Sequence, residues 1–246
     1  MLTALDDGAL LAEKTGQSPA TVVALHGWGR SGADFAQIVS GLDALAIHLP
    51  GFGITPEPAT AWGSEHYADA VARALAGSAP VVVVGHSFGG RVAVRLAAKH
   101  PELVSAVVLT GVPLVRLTAA PKPPLMFRLI RALARAGIIP QGVLEKQRHQ
   151  RGSADYRAAR GVMRDVLVRV IGEDYRDDLA RITVPVRMVW GENDTAAPAD
   201  AGVAASALIA GATFRTVAGA GHLLEGSLEQ EVRHELHSLI SELKEN

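Results

Sequence analysis

The chain of 246 residues contains no cysteine. This absence excludes a disulfide framework, catalysis by a thiolate and any zinc site with cysteine ligands. Aromatic residues make up only 4% of the chain, and the formal net charge is -1. Such a charge argues against a strongly basic protein that binds nucleic acid or a membrane surface. The 48% hydrophobic and 20% charged residues are typical of a globular protein with a sizeable core.

The chain also lacks a long hydrophobic run, since no apolar stretch approaches the roughly eighteen residues that a membrane-spanning helix needs. Its first residues, Met1 to Asp7, include two acids where a signal peptide would carry basic residues. We therefore expect a cytoplasmic protein with no membrane partner, built as one domain with an insertion.

Positive charge is concentrated in the middle of the chain. Residues 113–171 contain 12 Lys and Arg against 3 Asp and Glu, which leaves 12 basic and 22 acidic residues elsewhere. One interpretation is that helical arginines form solvated polar faces. The other is that they attract an anionic substrate, such as an acidic acyl group or an acyl chain on a phosphorylated carrier. The arginines at helical spacing are Arg128, Arg131, Arg135, Arg157, Arg160 and Arg164. Nucleic acid is not an expected partner, because aromatic residues that could stack on bases are scarce.

Short apolar runs alternate with longer helical patterns, which predicts an α/β fold with a mostly parallel central sheet flanked by helices. The predicted strands are Thr21 to Leu25, Leu45 to Leu49, Val81 to Val84, Val104 to Leu109, Val186 to Trp190 and Thr213 to Val217. The predicted helices are Glu65 to Leu75, Arg91 to Lys99, Ala199 to Ala210 and Leu228 to Leu243. The first thirteen residues could add an antiparallel hairpin.

The alternation of strands and helices breaks at Pro113 and resumes after Asp178. Between these points, apolar and arginine positions recur at helical spacing, including Arg157, Arg160 and Arg164 opposite apolar Val162, Val166 and Val170. We predict a core formed by residues 1–112 and 179–246, with a helical cap inserted at 113–178.

The strongest chemical signal is Gly85-His86-Ser87-Phe88-Gly89-Gly90, between the strand ending at Val84 and the helix beginning at Arg91. Glycines two residues before and after the serine permit a sharp turn that exposes it at the strand end. This context predicts a nucleophilic Ser87. The alternative is an ordinary glycine-rich turn with an inert serine.

A serine hydroxyl needs a base and an orienting acid to act as a nucleophile. In this kind of sheet both follow later in the chain, first the acid and then a histidine, each after a strand. Asp194 and His222 meet these positions, so we predict a catalytic set of Ser87, Asp194 and His222. Glu192 competes with Asp194 for the acid role, because it lies nearer the end of its strand.

The segment His26-Gly27-Trp28-Gly29 follows the first buried strand. We predict that the backbone N–H groups of Trp28 and Phe88 form an oxyanion hole, with His26 in a structural role. The same loop matches the dinucleotide pattern G-x-G-x-x-G from Gly27 to Gly32. A dinucleotide site also needs an acid at the end of the next strand, where this chain has His48. We therefore predict no cofactor and no metal.

With these motifs, the chain resembles the α/β-hydrolase superfamily, in its small subgroup with a helical cap. The resemblance rests on HGWG at 26–29, LPGFG at 49–53, GHSFGG at 85–90, WGENDTAAP at 190–198 and GAGH at 219–222. It implies a binding pocket between core and cap, where aliphatic Leu125, Met126 and Met163 are candidate lining residues. Relatives often carry Asp at the position of His48. Family members with an aspartate nucleophile are excluded by Ser87.

These observations predict a serine hydrolase, most simply a carboxylic-ester hydrolase acting on a small-molecule acyl substrate through an acyl-enzyme. Hydrolysis of a thioester, a lactone or a carbon–carbon bond is an alternative within the resemblance. A ligand-sensing protein that keeps the fold but turns over slowly is an alternative of another class. The sequence leaves the oligomeric state open.

Overall fold

The structure, a computed structural model, describes residues 1–117, 130, 132–134, 136, 138–140, 142 and 153–245. Several residues singled out in the sequence lie outside this part of the chain, namely Leu125, Met126, Arg128, Arg131 and Arg135. The division into core and cap at 113 and 178 therefore stays a prediction.

An eight-stranded sheet forms the centre of the described structure. Its strands are β1 (Leu2–Leu5), β2 (Leu10–Thr15), β3 (Val22–Leu25), β4 (Ala44–His48), β5 (Val81–His86), β6 (Val104–Thr110), β7 (Val186–Gly191) and β8 (Thr213–Val217). Their order across the sheet is β1-β2-β4-β3-β5-β6-β7-β8. Strands β1 and β2 form the expected N-terminal antiparallel hairpin, β2 pairs antiparallel with β4, and all later pairs are parallel. The mostly parallel sheet predicted from the sequence is thus confirmed.

The structure includes helices α1 (Ser64–Ala74), α2 (Phe88–Lys99), α3 (Ala154–Ala158), α4 (Gly161–Ile171), α5 (Arg176–Leu179), α6 (Ala199–Ser206) and α7 (Gly226–Glu245), with short 3-10 turns at Asp6–Gly8, Gly32–Phe35 and Pro101–Leu103. Helices α1 and α2 pack on one face of the sheet, and α7 packs on the other. None of the helices in the described ranges has the length and hydropathy that a bilayer crossing needs.

Alternate residues of the central strands pack into two separate cores. On β5, Val83 packs in the core on the α1 and α2 side, whereas Val82 and Val84 pack in the core on the α7 side. Burial on both faces explains why the strand is an unbroken run of valines. The order in which strands are added to the sheet reverses at β3, because β4 lies on one side of β3 and β5 lies on the other. In open α/β sheets, ligands bind outside the carboxyl ends of the strands at such a point.

The helical pattern expected to carry Arg157, Arg160 and Arg164 together is interrupted, which corrects the sequence expectation. Helix α3 ends at Ala158, and Arg160 has an extended backbone with ψ 164°. Gly161 then adopts φ +51°, a value that residues other than glycine rarely adopt. Helix α4 begins at this glycine. Within α4, the predicted apolar face is buried at Val166 and Val170.

Helix α7 supplies much of the core on its side of the sheet, and a substitution there tests this assignment. Its residues Leu228, Val232, Leu236, Leu239 and Ile240 recur at helical spacing and are all buried. Replacing fully buried Leu236 by alanine removes packed methyl groups and leaves a cavity, so we expect the Leu236→Ala substitution to lower the free energy of unfolding by about 2–5 kcal/mol. Urea unfolding followed by circular dichroism measures this loss. The control Val203→Ala, at a half-exposed position on α6, should change the free energy by no more than about 0.5 kcal/mol; equal losses in the two variants would contradict the assignment of this core.

Candidate functional site

Ser87 lies at the junction of β5 and α2 with a backbone conformation of φ 51° and ψ -112°. Positive φ is uncommon for a residue with a side chain and stores strain. The Ser87 N–H donates to the carbonyl of Thr110 on the neighbouring strand at 3.0 Å. Two residues further on, a Cβ at Gly89 would overlap the carbonyl oxygen of Leu25. The strained serine is therefore held by the close approach of α2 to β3.

The structure brings the other two predicted catalytic side chains to this serine. The Nε2 atom of His222 is 3.1 Å from Ser87 Oγ, and its Nδ1 atom is 2.7 Å from Asp194 Oδ2. The other carboxylate oxygen of Asp194 accepts the N–H groups of Ala196 and Ala197 at 2.9 and 2.8 Å. Because a carboxylate only accepts, Nδ1 of His222 carries the proton and Nε2 is free to accept from the serine hydroxyl.

The competing carboxylate, Glu192, occupies a different position. Its Oε2 atom accepts the N–H of Gly219 at 2.9 Å, and its side chain is exposed. Main-chain bonds add to this link, since Glu192 N–H donates to Val217 O at 3.0 Å and Asn193 N–H donates to Ala220 O at 2.8 Å. Glu192 thus connects the loop after β7 to the loop that carries His222, whereas Asp194 contacts the histidine ring.

The two residues predicted to supply oxyanion donors are neighbours in space. The rings of Trp28 and Phe88 meet edge to face with centroids 5.4 Å apart. Phe88 is the first residue of α2, where backbone N–H groups have no partner within the helix. The loop of Trp28 also approaches the serine, because a Cβ at Gly27 would lie 3.4 Å from Ser87 Cβ. Their role as an oxyanion hole stays a prediction.

The neutral ring of His26 holds this loop in place through two hydrogen bonds. Its Nδ1 atom is 2.7 Å from the carbonyl of Gly27, and its Nε2 atom accepts the N–H of Leu49 at 3.0 Å. One nitrogen must donate and the other accept, which requires the neutral ring. Burial lowers the pKa of His26 to about 4, in agreement with that form. The contacts support the structural role expected from the sequence.

His48, the position where relatives often carry Asp, has a similar structural environment that the sequence did not reveal. It is buried, and its Nδ1 atom accepts the N–H of Gly32 at 3.3 Å. Its Nε2 atom lies 3.4 Å from a carboxylate oxygen of Glu13 on β2. The histidine thus joins the sheet to the turn that follows the Trp28 loop.

Aromatic side chains are gathered beside the serine, although the chain has few of them. Phe52 and Phe88 both contact Trp28, and Tyr67 contacts Phe88 with ring centroids 5.0 Å apart. Tyr67 also donates to the carbonyl of Pro50 at 3.1 Å. Sequence reasoning pointed to aliphatic lining and missed this cluster, because its members come from four separate segments.

Met163 is the one candidate lining residue among the described residues. It is buried on α4 and packs against the backbone of Gly51, where an added Cβ would overlap its thioether. Met163 therefore joins the segment 153–178 to the loop after β4. Leu125 and Met126 lie outside the described residues, so their predicted role is untested.

The described arginines of the segment differ in exposure. Arg157 and Arg160 are exposed. Arg164 is half-buried, donates to the carbonyl of Ala159 at 3.0 Å and lies over the ring of Tyr156 at 5.4 Å.

In the described ranges, no cluster of three or more His, Asp or Glu side chains could hold a metal ion. The absence of a cofactor stays a prediction.

Comparisons with known proteins agree with this architecture. The model of the alpha/beta hydrolase family matches residues 22–234. A pimeloyl-[acyl-carrier protein] methyl ester esterase from Chromobacterium violaceum is 40% identical over 108 residues, or 42% of this chain and 40% of that protein. A protein of the same name from Xanthomonas campestris is 28% identical over 251 residues, covering 93% of this chain and 97% of the relative. The matched part of the chain thus spans less than half of the first relative and nearly all of the second.

A solved structure shares the fold over almost the full length. The esterase from Exiguobacterium antarcticum superposes with a TM-score of 0.72 at 19% identity and covers 98% of both chains. The α/β-hydrolase fold predicted from the sequence motifs is therefore confirmed.

The neutral state of His26 predicts a pH dependence of stability. Its pKa of about 4 in the folded protein lies below the ordinary value of 6.5. As pH falls through 6.5, the unfolded chain binds the proton first, so the free energy of unfolding decreases between pH 6.5 and 4. We expect His26→Gln to flatten this decrease by up to about 1.4 kcal/mol per pH unit. Urea unfolding at several pH values measures the slope, and identical slopes in the two proteins would contradict a buried neutral His26.

Proposed function

Because the chain belongs to the alpha/beta hydrolase family, we propose that it is a serine hydrolase that cleaves carboxylic esters through an acyl-enzyme. The observation that carries the proposal is the unbroken chain of hydrogen bonds from Ser87 through His222 to Asp194, at 3.1 and 2.7 Å. All three side chains follow carboxyl ends of parallel strands, at the edge of the sheet where such folds bind ligands.

In the first half of the reaction, Ser87 Oγ attacks the acyl carbonyl carbon while Nε2 of His222 takes the hydroxyl proton. The imidazolium that forms donates through Nδ1 to Asp194, whose carboxylate stabilises the positive charge. His222 then gives the proton to the departing alcohol oxygen. In the second half, a water molecule attacks the acyl-enzyme with His222 again as the base, which releases the acid and restores Ser87.

Negative charge develops on the carbonyl oxygen as the tetrahedral intermediate forms. We assign its stabilisation to the N–H groups of Trp28 and Phe88, and loss of one such donor typically costs about 3 kcal/mol. The start of α2 at Phe88 adds the positive end of a helix dipole at the same position.

The basic character of residues 113–171 supports an anionic acyl substrate as the finer proposal. The exposed side chains of Arg157 and Arg160 belong to this segment. Two of the relatives are named for a methyl ester whose acyl group is linked to an acyl-carrier protein. We propose the same general class for this chain, an ester with an acidic or carrier-linked acyl group, with aromatic Trp28 and Phe52 and aliphatic Met163 near the acyl chain.

The Ser87→Ala substitution removes the nucleophile, so we expect it to abolish turnover of simple aryl esters and covalent labelling by a fluorophosphonate probe. Ester release and gel detection of the probe measure the two effects. Unchanged turnover in the variant would disprove the mechanism. Labelling of the unmodified protein without multiple turnover would instead favour the ligand-sensing alternative.

Asp194 and Glu192 provide a matched pair of carboxylates in one loop. We expect Asp194→Asn to lower kcat by about 10³–10⁴-fold, because the amide no longer selects the Nδ1-protonated ring. Glu192→Gln leaves His222 in contact with Asp194 and should have a much smaller effect. A larger loss of kcat in Glu192→Gln than in Asp194→Asn would assign the orienting role to Glu192.

Charge attraction to the basic segment predicts a dependence on salt. For an anionic ester, kcat/KM should fall as ionic strength rises from about 0.01 M to about 1 M, because the Debye length shrinks from about 30 Å to about 3 Å. A neutral ester with the same leaving group is the control and should respond weakly. An equal change of kcat/KM with salt for the two esters would favour the other interpretation, in which the arginines only form solvated polar faces.

A further inference from the structure

His86 is the last residue of β5, directly before Ser87, and its side chain is buried with 2% exposure. The reaction described above gives it no proton to carry. Its ring nevertheless lies between the segments that hold the serine, the base and the oxyanion donors. The ring centroid is 4.9 Å from that of His222.

The first contact of His86 is a hydrogen bond to the backbone of the base. Its Nε2 atom lies 2.9 Å from the main-chain carbonyl oxygen of His222. A carbonyl can only accept, so Nε2 carries the proton and donates it. His222 is thus held at both ends, with its carbonyl on His86 and its Nδ1 on Asp194.

The second contact is with the loop of the oxyanion donors. A Cβ at Gly27 would lie 3.0 Å from His86 Nδ1, so the ring packs directly on the Gly27 backbone. In the part of the chain that the structure describes, Nδ1 has no hydrogen-bond partner although it is buried. Such a nitrogen tolerates burial only without a charge, and burial lowers the pKa of His86 to about 4. The titratable groups around the ring are His222, Asp194 and Asp34.

We propose that His86 is a positioning residue, which through its hydrogen bond to the His222 carbonyl keeps the His222 ring within reach of both Ser87 and Asp194. This inference rests on the proposed function. The bonds from the loop after β7 reach Val217, Gly219 and Ala220, whereas the bond from His86 reaches the backbone of His222 itself, where residues 221 to 223 are exposed or half-exposed. Loss of the anchor lets the imidazole move relative to Ser87, and a displacement of about 1 Å at a reacting group can cost 10²-fold in rate.

Two substitutions separate the hydrogen bond from the shape of the ring. His86→Leu keeps the bulk but removes the donor, whereas His86→Gln places an amide N–H near the position of Nε2. Because the His86 side chain is buried away from solvent, we expect His86→Leu to lower kcat by about 10–100-fold with KM unchanged within about twofold. His86→Gln should restore kcat to within about fivefold of the unmodified enzyme, since its donor still reaches the carbonyl.

A spectroscopic measurement tests the same inference without substrate. The proton between His222 Nδ1 and Asp194 should give a low-field ¹H NMR resonance that is retained in His86→Gln and broadened or lost in His86→Leu. If His86→Leu does not fold, His86→Asn replaces it, because the shorter amide cannot reach the His222 carbonyl. The control Glu235→Gln changes another buried polar group, on α7, which pairs with Arg187 near the start of β7 at 2.7 Å, and should leave kcat and the resonance unchanged.

Several outcomes would overturn the positioning role. They are full activity of His86→Leu, equal losses in His86→Leu and His86→Gln, or a rise in KM with kcat unchanged. Absence of ester turnover in the unmodified protein would instead count against the proposed function. In that case, the low-field resonance of the three proteins still decides whether His86 positions His222.

Discussion

The close contact between α2 and β3 is the constraint on which the site depends. Gly89 lies so near the carbonyl of Leu25 that no side chain fits between them. The contact lies two residues after Ser87, which has its positive φ directly before the first residue of α2. It also brings the loop after β3, with Gly27 and Trp28, beside the serine. The strain at Ser87 is thus maintained by backbone packing and not by bonds of its own side chain.

Each of the three residues that meet at this point makes a hydrogen bond in which a main-chain atom takes part. Ser87 N–H binds the strand at Thr110, Asp194 accepts two backbone N–H groups, and the carbonyl of His222 accepts from His86. Little rotational freedom remains for the donors and acceptors. Groups arranged in this way need no reorganisation when charge develops, which is the main source of electrostatic catalysis in enzymes.

The sequence predicted most of this arrangement, because strand ends and turn glycines are local signals. The six sheet strands after the hairpin, the positions of Ser87, Asp194 and His222, and the fold were all accessible from spacing and residue type. Loop position favoured Asp194 over Glu192, but both follow β7, and tertiary contacts alone show which carboxylate reaches His222. The break at Arg160 and Gly161 and the contacts of His48 and His86 depend likewise on long-range packing. The roles of the catalytic residues stay predictions.

Besides the contact of His222 with Asp194, hydrogen bonds join the loop after β7 to the end of β8 and the loop that follows it. They run from Glu192 N–H to Val217, from Asn193 N–H to Ala220 and from Gly219 N–H to the Glu192 carboxylate. Asp194 and His222 therefore lie on two loops that are bonded to each other, although the residues are 28 positions apart in the chain. In a chimaera of two related chains, a crossover between these loops would pair halves that were never selected together. Recombination should succeed only where both loops come from the same parent.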